Sequence, residues 1–368
     1  MHRPTLHRDW RDLLWAGKSA FSDRKIALHA RGLLIAYIVY VAAFYGTSLA
    51  LGDSFRDVWE TYGLALLPMR AARRMDFSGF LLSLATLLGV ALFVHYGTAV
   101  GRMTFAQLRG DHFFSSADAR AFARKHSRGA LSTLGIGILV VTVLQLLPVI
   151  LALPGQIPFL RDWWTVVGSL LIVPGFFVGL LLGFVILSLL FGVLLLPAIS
   201  GVVGAGAMEV SYQLAVLVWK QGWRLLLYEL LLSVVAIVSG GVFLLFGAYG
   251  ILTLVGNFVS PFFGLMFERA IAIAWGDLSF LGLAFGGRRG GYTSLPLDVA
   301  TVLTAVGLVF VTILVAAYVL SIVSTGNTLI YIGLRERIWG DNVLEAEPIG
   351  EEGPDASADG DATSDEAP

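Results

Sequence analysis

Four side chains are chemically conspicuous because they are polar in, or at the edge of, long apolar text: His95, Gln145, Glu229 and Asn257. Polar groups at such places are expensive and mark a proton, ion or solute path by default. His95 stands beside Tyr96, and an imidazole is the side chain that changes charge near neutral pH. Glu229 falls at a similar depth, so a carboxylate facing that imidazole would make a proton site. The plainer alternatives are an interfacial His-Tyr pair, and a Glu229 that snorkels to the interface or pairs with Arg224. Gln145 and Asn257 suit hydrogen bonds between helices better than ligand contacts.

Other motifs are weaker. Gly201–Gly206 reads Gly-Val-Val-Gly-Ala-Gly, but it lacks the Lys and the Ser or Thr of a phosphate-binding loop, and no strand precedes it. Glu268, Arg269 and Asp277 read as a solvated loop face. Gly175, Gly179 and Gly183 recur every fourth residue on one helix face, a spacing that allows close helix packing, and Gly135 and Gly137 read the same way. No HExxH, paired carboxylates or Asp-rich cluster lies near the apolar runs, and the six histidines give no convincing Ser-His-Asp order. Cysteine is absent, which removes disulfides, thiolate nucleophiles and Cys-based metal sites. The expectation is a non-enzyme with no catalytic residue, no cofactor and no metal.

The elements that would position these groups are long helices. Charge-free runs cover Gly129–Leu160, Trp163–Met208, Leu230–Phe267 and Val299–Leu334. About 20 apolar residues cross a bilayer core, and each run is longer. Composition agrees: 57% hydrophobic and 14% charged residues, against roughly 25% charged in soluble chains. The fold class expected is all-α, a polytopic transmembrane helical bundle of about six spans with interfacial amphipathic helices. The lipid bilayer is then the first partner, with other membrane proteins or self-association beyond it. Nucleic acid is not expected, because basic and aromatic groove residues are not interleaved.

Three regions follow: a cytoplasmic amphipathic N-terminal segment at 1–31, a transmembrane domain at 32–343, and a disordered acidic tail at 344–368. In the first, Trp10, Leu13, Leu14 and Phe21 share a face, and Arg8, Arg11, Lys18, Arg24 and Lys25 would meet anionic headgroups. Ser22 or Asp23 caps a helix that runs into the first span, Gly32–Leu51. The first apolar run begins too far in for a cleavable signal peptide, so it reads as a retained anchor.

The remaining spans are Phe77–Val100, Ala130–Leu153, Val166–Leu196, Trp223–Phe246 and Val299–Leu320, the last continuing towards Arg335 and Arg337. Surface helices are expected at 116–127, with Ser115 and Asp118 as a cap, and at 206–221, with Met208, Tyr212, Ala215 and Trp219 on one face. The basic helix at 116–128 could touch anionic lipid, although an ordinary positive loop explains it too. As one helix the fourth span would measure about 46 Å, longer than a ~30 Å core, so Pro174-Gly175 is expected to break or kink it. Arg161-Asp162-Trp163-Trp164 reads as an interfacial turn. The stretch 247–275 is a re-entrant or interfacial hairpin, or a seventh crossing. A turn follows at Gly286–Gly291.

The net charge of −1 hides nine acids after Leu344; the rest of the chain holds 25 basic against 17 acidic residues. With six spans, alternate sides carry 17 and 8 Lys and Arg residues. The positive-inside rule then puts both termini in the cytoplasm of a bacterial inner membrane. Span two, basic helix and span three echo span four, surface helix and span five. Arg128-Gly-Ala-Leu and Arg224-Leu-Leu-Leu correspond, which suggests an internal duplication of the kind used in transporters.

Leu195-Leu196-Pro197, Ser211-Tyr212, the span opening Trp223-Arg224-Leu225-Leu226-Leu227-Tyr228, and the closing Thr328-Leu329-Ile330-Tyr331-Ile332-Gly333-Leu334-Arg335-x-Arg337 resemble uncharacterised bacterial multi-span membrane proteins. The layout over about 80–340 is distantly similar to the membrane portion of membrane-anchored glycerophosphodiester phosphodiesterases. The soluble phosphodiesterase domain of those enzymes has no counterpart here, so the resemblance implies a fold and no active site. The functional expectation is a non-catalytic scaffold, assembly factor or regulatory partner; the alternative is a channel or transporter for an ion or small solute.

Overall fold

The computed structural model describes residues 10–64, 77–258, 263–275 and 295–345. Ten α-helices and no strand occur among them: α1 Arg11–Ala20, α2 Asp23–Ala50, α3 Phe55–Tyr62, α4 Phe77–Leu108, α5 Ser116–Ala152, α6 Arg161–Leu170, α7 Ile172–Val203, α8 Ala207–Phe258, α9 Phe263–Trp275 and α10 Leu295–Trp339. Six of these (α2, α4, α5, α7, α8 and α10) are long and apolar enough to cross a membrane. The expected all-α, six-span bundle is what the chain forms. The interior of a bilayer leaves backbone groups no water to bond, so a continuous helix is the natural state of each run.

Local chemistry sets several ends. Ser115 caps α5 by accepting a hydrogen bond from the Asp118 amide at 3.1 Å, as its spacing predicted. Ser22 occupies the cap position of α2 in extended conformation, but its side chain makes no capping bond. Gly204 ends α7 at φ +65°, a left-handed conformation that glycine adopts without Cβ strain. The surface helices expected at 116–127 and 206–221 are not separate. The first is continuous with α5; the second joins α8 at Gln221, where φ −130° interrupts the helix. The two halves of the suggested duplication therefore share a surface-helix-into-span layout, continuous in one and interrupted in the other.

The sequence misplaced other features. The break in the fourth span is at Leu171 rather than Pro174-Gly175. Pro174 instead sits in the first turn of α7, where its missing N–H is tolerated. Arg161–Trp164 is the first turn of α6 rather than a turn between spans. Glu268 and Arg269 belong to α9, not to a loop. That helix has 13 residues, about 20 Å of length, too short for a seventh crossing. It packs through Ala270, Ile271 and Ala274 on α10 and α2. Asp277, Gly286–Gly291 and the tail from 346 lie outside the described residues.

Packing is uneven along the bundle. Buried side chains gather on α4 from Val94 to Leu108, on α7 from Phe191 to Val202, on α8 from Val210 to Ala236 and on α10 from Ala317 to Leu334. Helices alternate in direction, so these stretches form one end. Backbones nearly touch there: a Cβ on Gly201 of α7 would lie 2.9 Å from the Arg102 amide nitrogen of α4. By contrast, α5 beyond Ile136 and α7 before Leu190 form an arm whose Leu139, Leu147, Phe176, Phe177 and Leu180 are exposed. A Cβ on Gly175, Gly179 or Gly183 would meet nothing within 4 Å. Among the described residues the expected close packing on that glycine face is not made, nor is it at Gly135. Gly137 does make it, against Leu189 of α7.

The N-terminal segment is part of the bundle. Leu13, Ala16, Gly17 and Ala20 are buried as α1 packs against α10 and α8. Trp10, Leu14 and Phe21 stay exposed, so the expected single apolar face is divided. Lys25, expected to meet headgroups, is fully buried.

Candidate functional site

A polar seam runs through the packed end where the α1–α2 elbow, α4 and α10 meet. On α10, Ser321, Ser324, Thr325 and Thr328 fall at i, i+3, i+4 and i+7, one helix face, and all four are buried. Ser324 Oγ lies 3.0 Å from His29 Nε2 of α2. The His29 ring also stacks on Phe93 of α4, with centroids 6.2 Å apart. Thr325 Oγ1 lies 3.4 Å from Thr104 Oγ1 of α4. Two donors from α10 serve the elbow: Ser321 Oγ to the Ala20 carbonyl at 3.0 Å and Tyr318 Oη to the Gly17 carbonyl at 3.2 Å. Lys25 Nζ donates to the Ser19 carbonyl at 3.3 Å and Ser19 Oγ at 3.4 Å.

A second network lies further along α10. Tyr331 Oη donates to Gln213 Oε1 of α8 and accepts from Arg335 Nη1 at 3.1 Å. Arg335 Nη2 pairs with Asp341 at 3.2 Å. Gln213 Nε2 in turn donates to Glu209. The chain of bonds locks α8 to the end of α10.

The four residues singled out by sequence do not converge. His95 Nδ1 lies 3.1 Å from Ser127 Oγ of α5, with Tyr96 edge-on. Glu229 is not its partner. Glu229 is 7% exposed, with no hydrogen-bond partner for Oε1; it neither snorkels nor pairs with Arg224, which bonds to Gln221. Gln145 is exposed on the α5 arm, so it is not glue between helices of this chain. Asn257 lies on α8, and its side chain is outside the described residues.

Histidine-serine contacts at hydrogen-bond distance are half of a hydrolase's machinery, a nucleophile and its base. Burial argues against that. His29, Ser324 and Ser127 are 1%, 2% and 3% exposed, and a nucleophile must meet its substrate. Among the described residues no group of three His, Asp or Glu could hold a metal ion. The chemistry available to the seam is hydrogen bonding that fixes helix register.

Sequence reading missed the seam. The i, i+3, i+4, i+7 spacing of Ser321, Ser324, Thr325 and Thr328 was legible. Lys25 and His29 precede the apolar run, so composition alone places them in the N-terminal surface segment.

Comparison with family models, curated proteins and solved structures finds no match to this chain. The fold and seam define a class: a multi-pass helical membrane protein whose buried polar groups tie its helices together.

Proposed function

We propose that this chain is a non-catalytic scaffold, assembly factor or regulatory partner in a bacterial cytoplasmic membrane, with both termini in the cytoplasm. The observation that carries the reading is the contrast within the bundle. Polar side chains at the packed end bond across helices, while the α5–α7 arm leaves Gly175, Gly179 and Gly183 without a neighbour among the described residues. A glycine face at four-residue spacing lets a second helix approach closely in lipid. Purification from native membranes with mild crosslinking, followed by mass spectrometry, tests the reading. It expects a stoichiometric protein partner or self-association, and recovery of the monomer alone contradicts it.

One observation favours a channel or transporter. Glu229 Oε1 on α8 and Asn327 Oδ1 on α10 are both buried without a partner, on helices that pack where Leu232 meets Gly326. Flux in proteoliposomes that is lost in Glu229→Gln would replace the first reading with this one.

A further inference from the structure

A cavity of about 450 Å³ lies where the start of α5 meets the link between α7 and α8. Lys125, His126, Arg128 and Ser132 line it from α5, and residues 204–207 line it from the link; no acidic side chain does. The cavity is open to the surface rather than enclosed.

The polar groups are arranged for an anion. His126 Nδ1 lies 3.0 Å from the Phe122 carbonyl, which can only accept, so Nδ1 carries a proton. The other nitrogen, Nε2, faces the link, only 3.5 Å from where a Cβ on Gly204 would stand; it accepts in the neutral ring and donates to an anion only in the imidazolium, so Lys125 and Arg128 carry the charge. The ring is stacked on Phe122 with centroids 4.1 Å apart, and the Arg102 guanidinium lies 4.4 Å over that same phenyl ring. Gly206 opens α8 by accepting from the Val210 amide at 3.1 Å. The amides of Ala207, Met208 and Glu209 therefore have no partner within the helix, and the positive end of the helical stretch 207–220, before the interruption at Gln221, borders the cavity.

The walls are held together. Ser211 Oγ donates to Thr133 Oγ1 at 3.0 Å, and the single Thr133 hydroxyl proton is shared between the Gly129 carbonyl of its own helix at 3.0 Å and the Ala207 carbonyl at 3.2 Å. At Gly129 an added Cβ would lie 2.8 Å from the Ala205 carbonyl oxygen. The glycine-rich link is not a phosphate-binding loop of the strand-and-lysine kind, because a helix precedes it and its cations come from α5.

We infer that this cavity binds a phosphate group, as an anionic phospholipid headgroup or on a free phosphorylated compound. Exposed apolar residues continue from its walls, Met208 and Tyr212 on α8 and Ile136 and Leu139 on α5. That surface suits acyl chains and favours the headgroup. The assignment does not rest on the scaffold reading.

Binding to the full chain in detergent tests it, with phosphatidylglycerol and phosphatidylcholine as probes and excess inorganic phosphate as competitor. Phosphatidylglycerol is expected to bind more tightly than phosphatidylcholine. The pair Lys125→Gln with Arg128→Gln is expected to weaken it about thirty-fold. Gly206→Leu, whose side chain would enter open space, is expected to weaken it without a charge change. Arg124→Gln, exposed on the same helix and outside the lining, should leave it unchanged, and each variant is first checked for monodispersity and helix content. Competition by inorganic phosphate identifies a soluble source and its failure identifies the headgroup; both uphold the site. Equal binding of the two lipids, equal loss in Arg124→Gln, or no loss in either cavity variant overturns it.

Discussion

The His29 imidazole and the Ser324 hydroxyl meet at 3.0 Å across 295 residues of chain, tying the second helix to the tenth. Both are sealed from solvent. Removing one partner leaves a buried polar atom unsatisfied, at about 1–3 kcal/mol. Ser324→Ala and His29→Ala should each lower the melting temperature in detergent, and the double variant should lose less than the sum of the two. Additive losses would mean that the two side chains do not interact.

Glycine substitutions should divide by helix end. Gly201→Ala would push a Cβ against the Arg102 amide and the Thr98 carbonyl, backbone atoms that cannot turn aside. A loss of about 1–3 kcal/mol is expected, read as a fall in melting temperature. Gly179→Ala meets open space, so the purified monomer should keep its stability. Equal losses at the two positions would contradict the packing described.

Much of this was legible in sequence. The six spans were readable because each apolar run exceeds the bilayer thickness, whatever its neighbours do. The helix expected to stand apart at 206–221 runs into α8 through the interruption at Gln221, whereas the cap at Ser115 followed from local chemistry. Tertiary contacts did not. Whether Gly179 or Gly201 faces a helix depends on which element lies opposite, and no local spacing encodes that. Lys25 misled for the same reason: it precedes an apolar run, yet it is buried with its Nζ bonded to Ser19 of α1. Of the four polar suspects, sequence gave the identity but not the partners: His95 finds Ser127, not Glu229.

His95→Ala and Glu229→Gln should leave the fold largely intact. The first removes one half-buried bond, and the second keeps the shape of a side chain whose Oε1 has no partner. Glu229→Leu is expected to hold or raise the melting temperature, because it removes an unsatisfied buried group. Aggregation of Glu229→Gln in detergent would instead give the carboxyl a structural role.

Both termini should report from the cytoplasm. A reporter fused at residue 340, just past the end of α10, should give a cytoplasmic signal, and deleting 346–368 should leave insertion unchanged. A periplasmic signal at 340 would require an odd number of crossings.

The absence of cysteine makes the arm directly addressable. A single cysteine at Gly179 or at the exposed Leu180, carrying a photo-crosslinker and irradiated in native membranes, compares directly with one at the buried Ile199. A discrete protein adduct, either a second copy or another membrane protein, is expected from the arm positions and none from Ile199. Lipid adducts alone at both arm positions, from a chain that stays monomeric, would contradict this expectation.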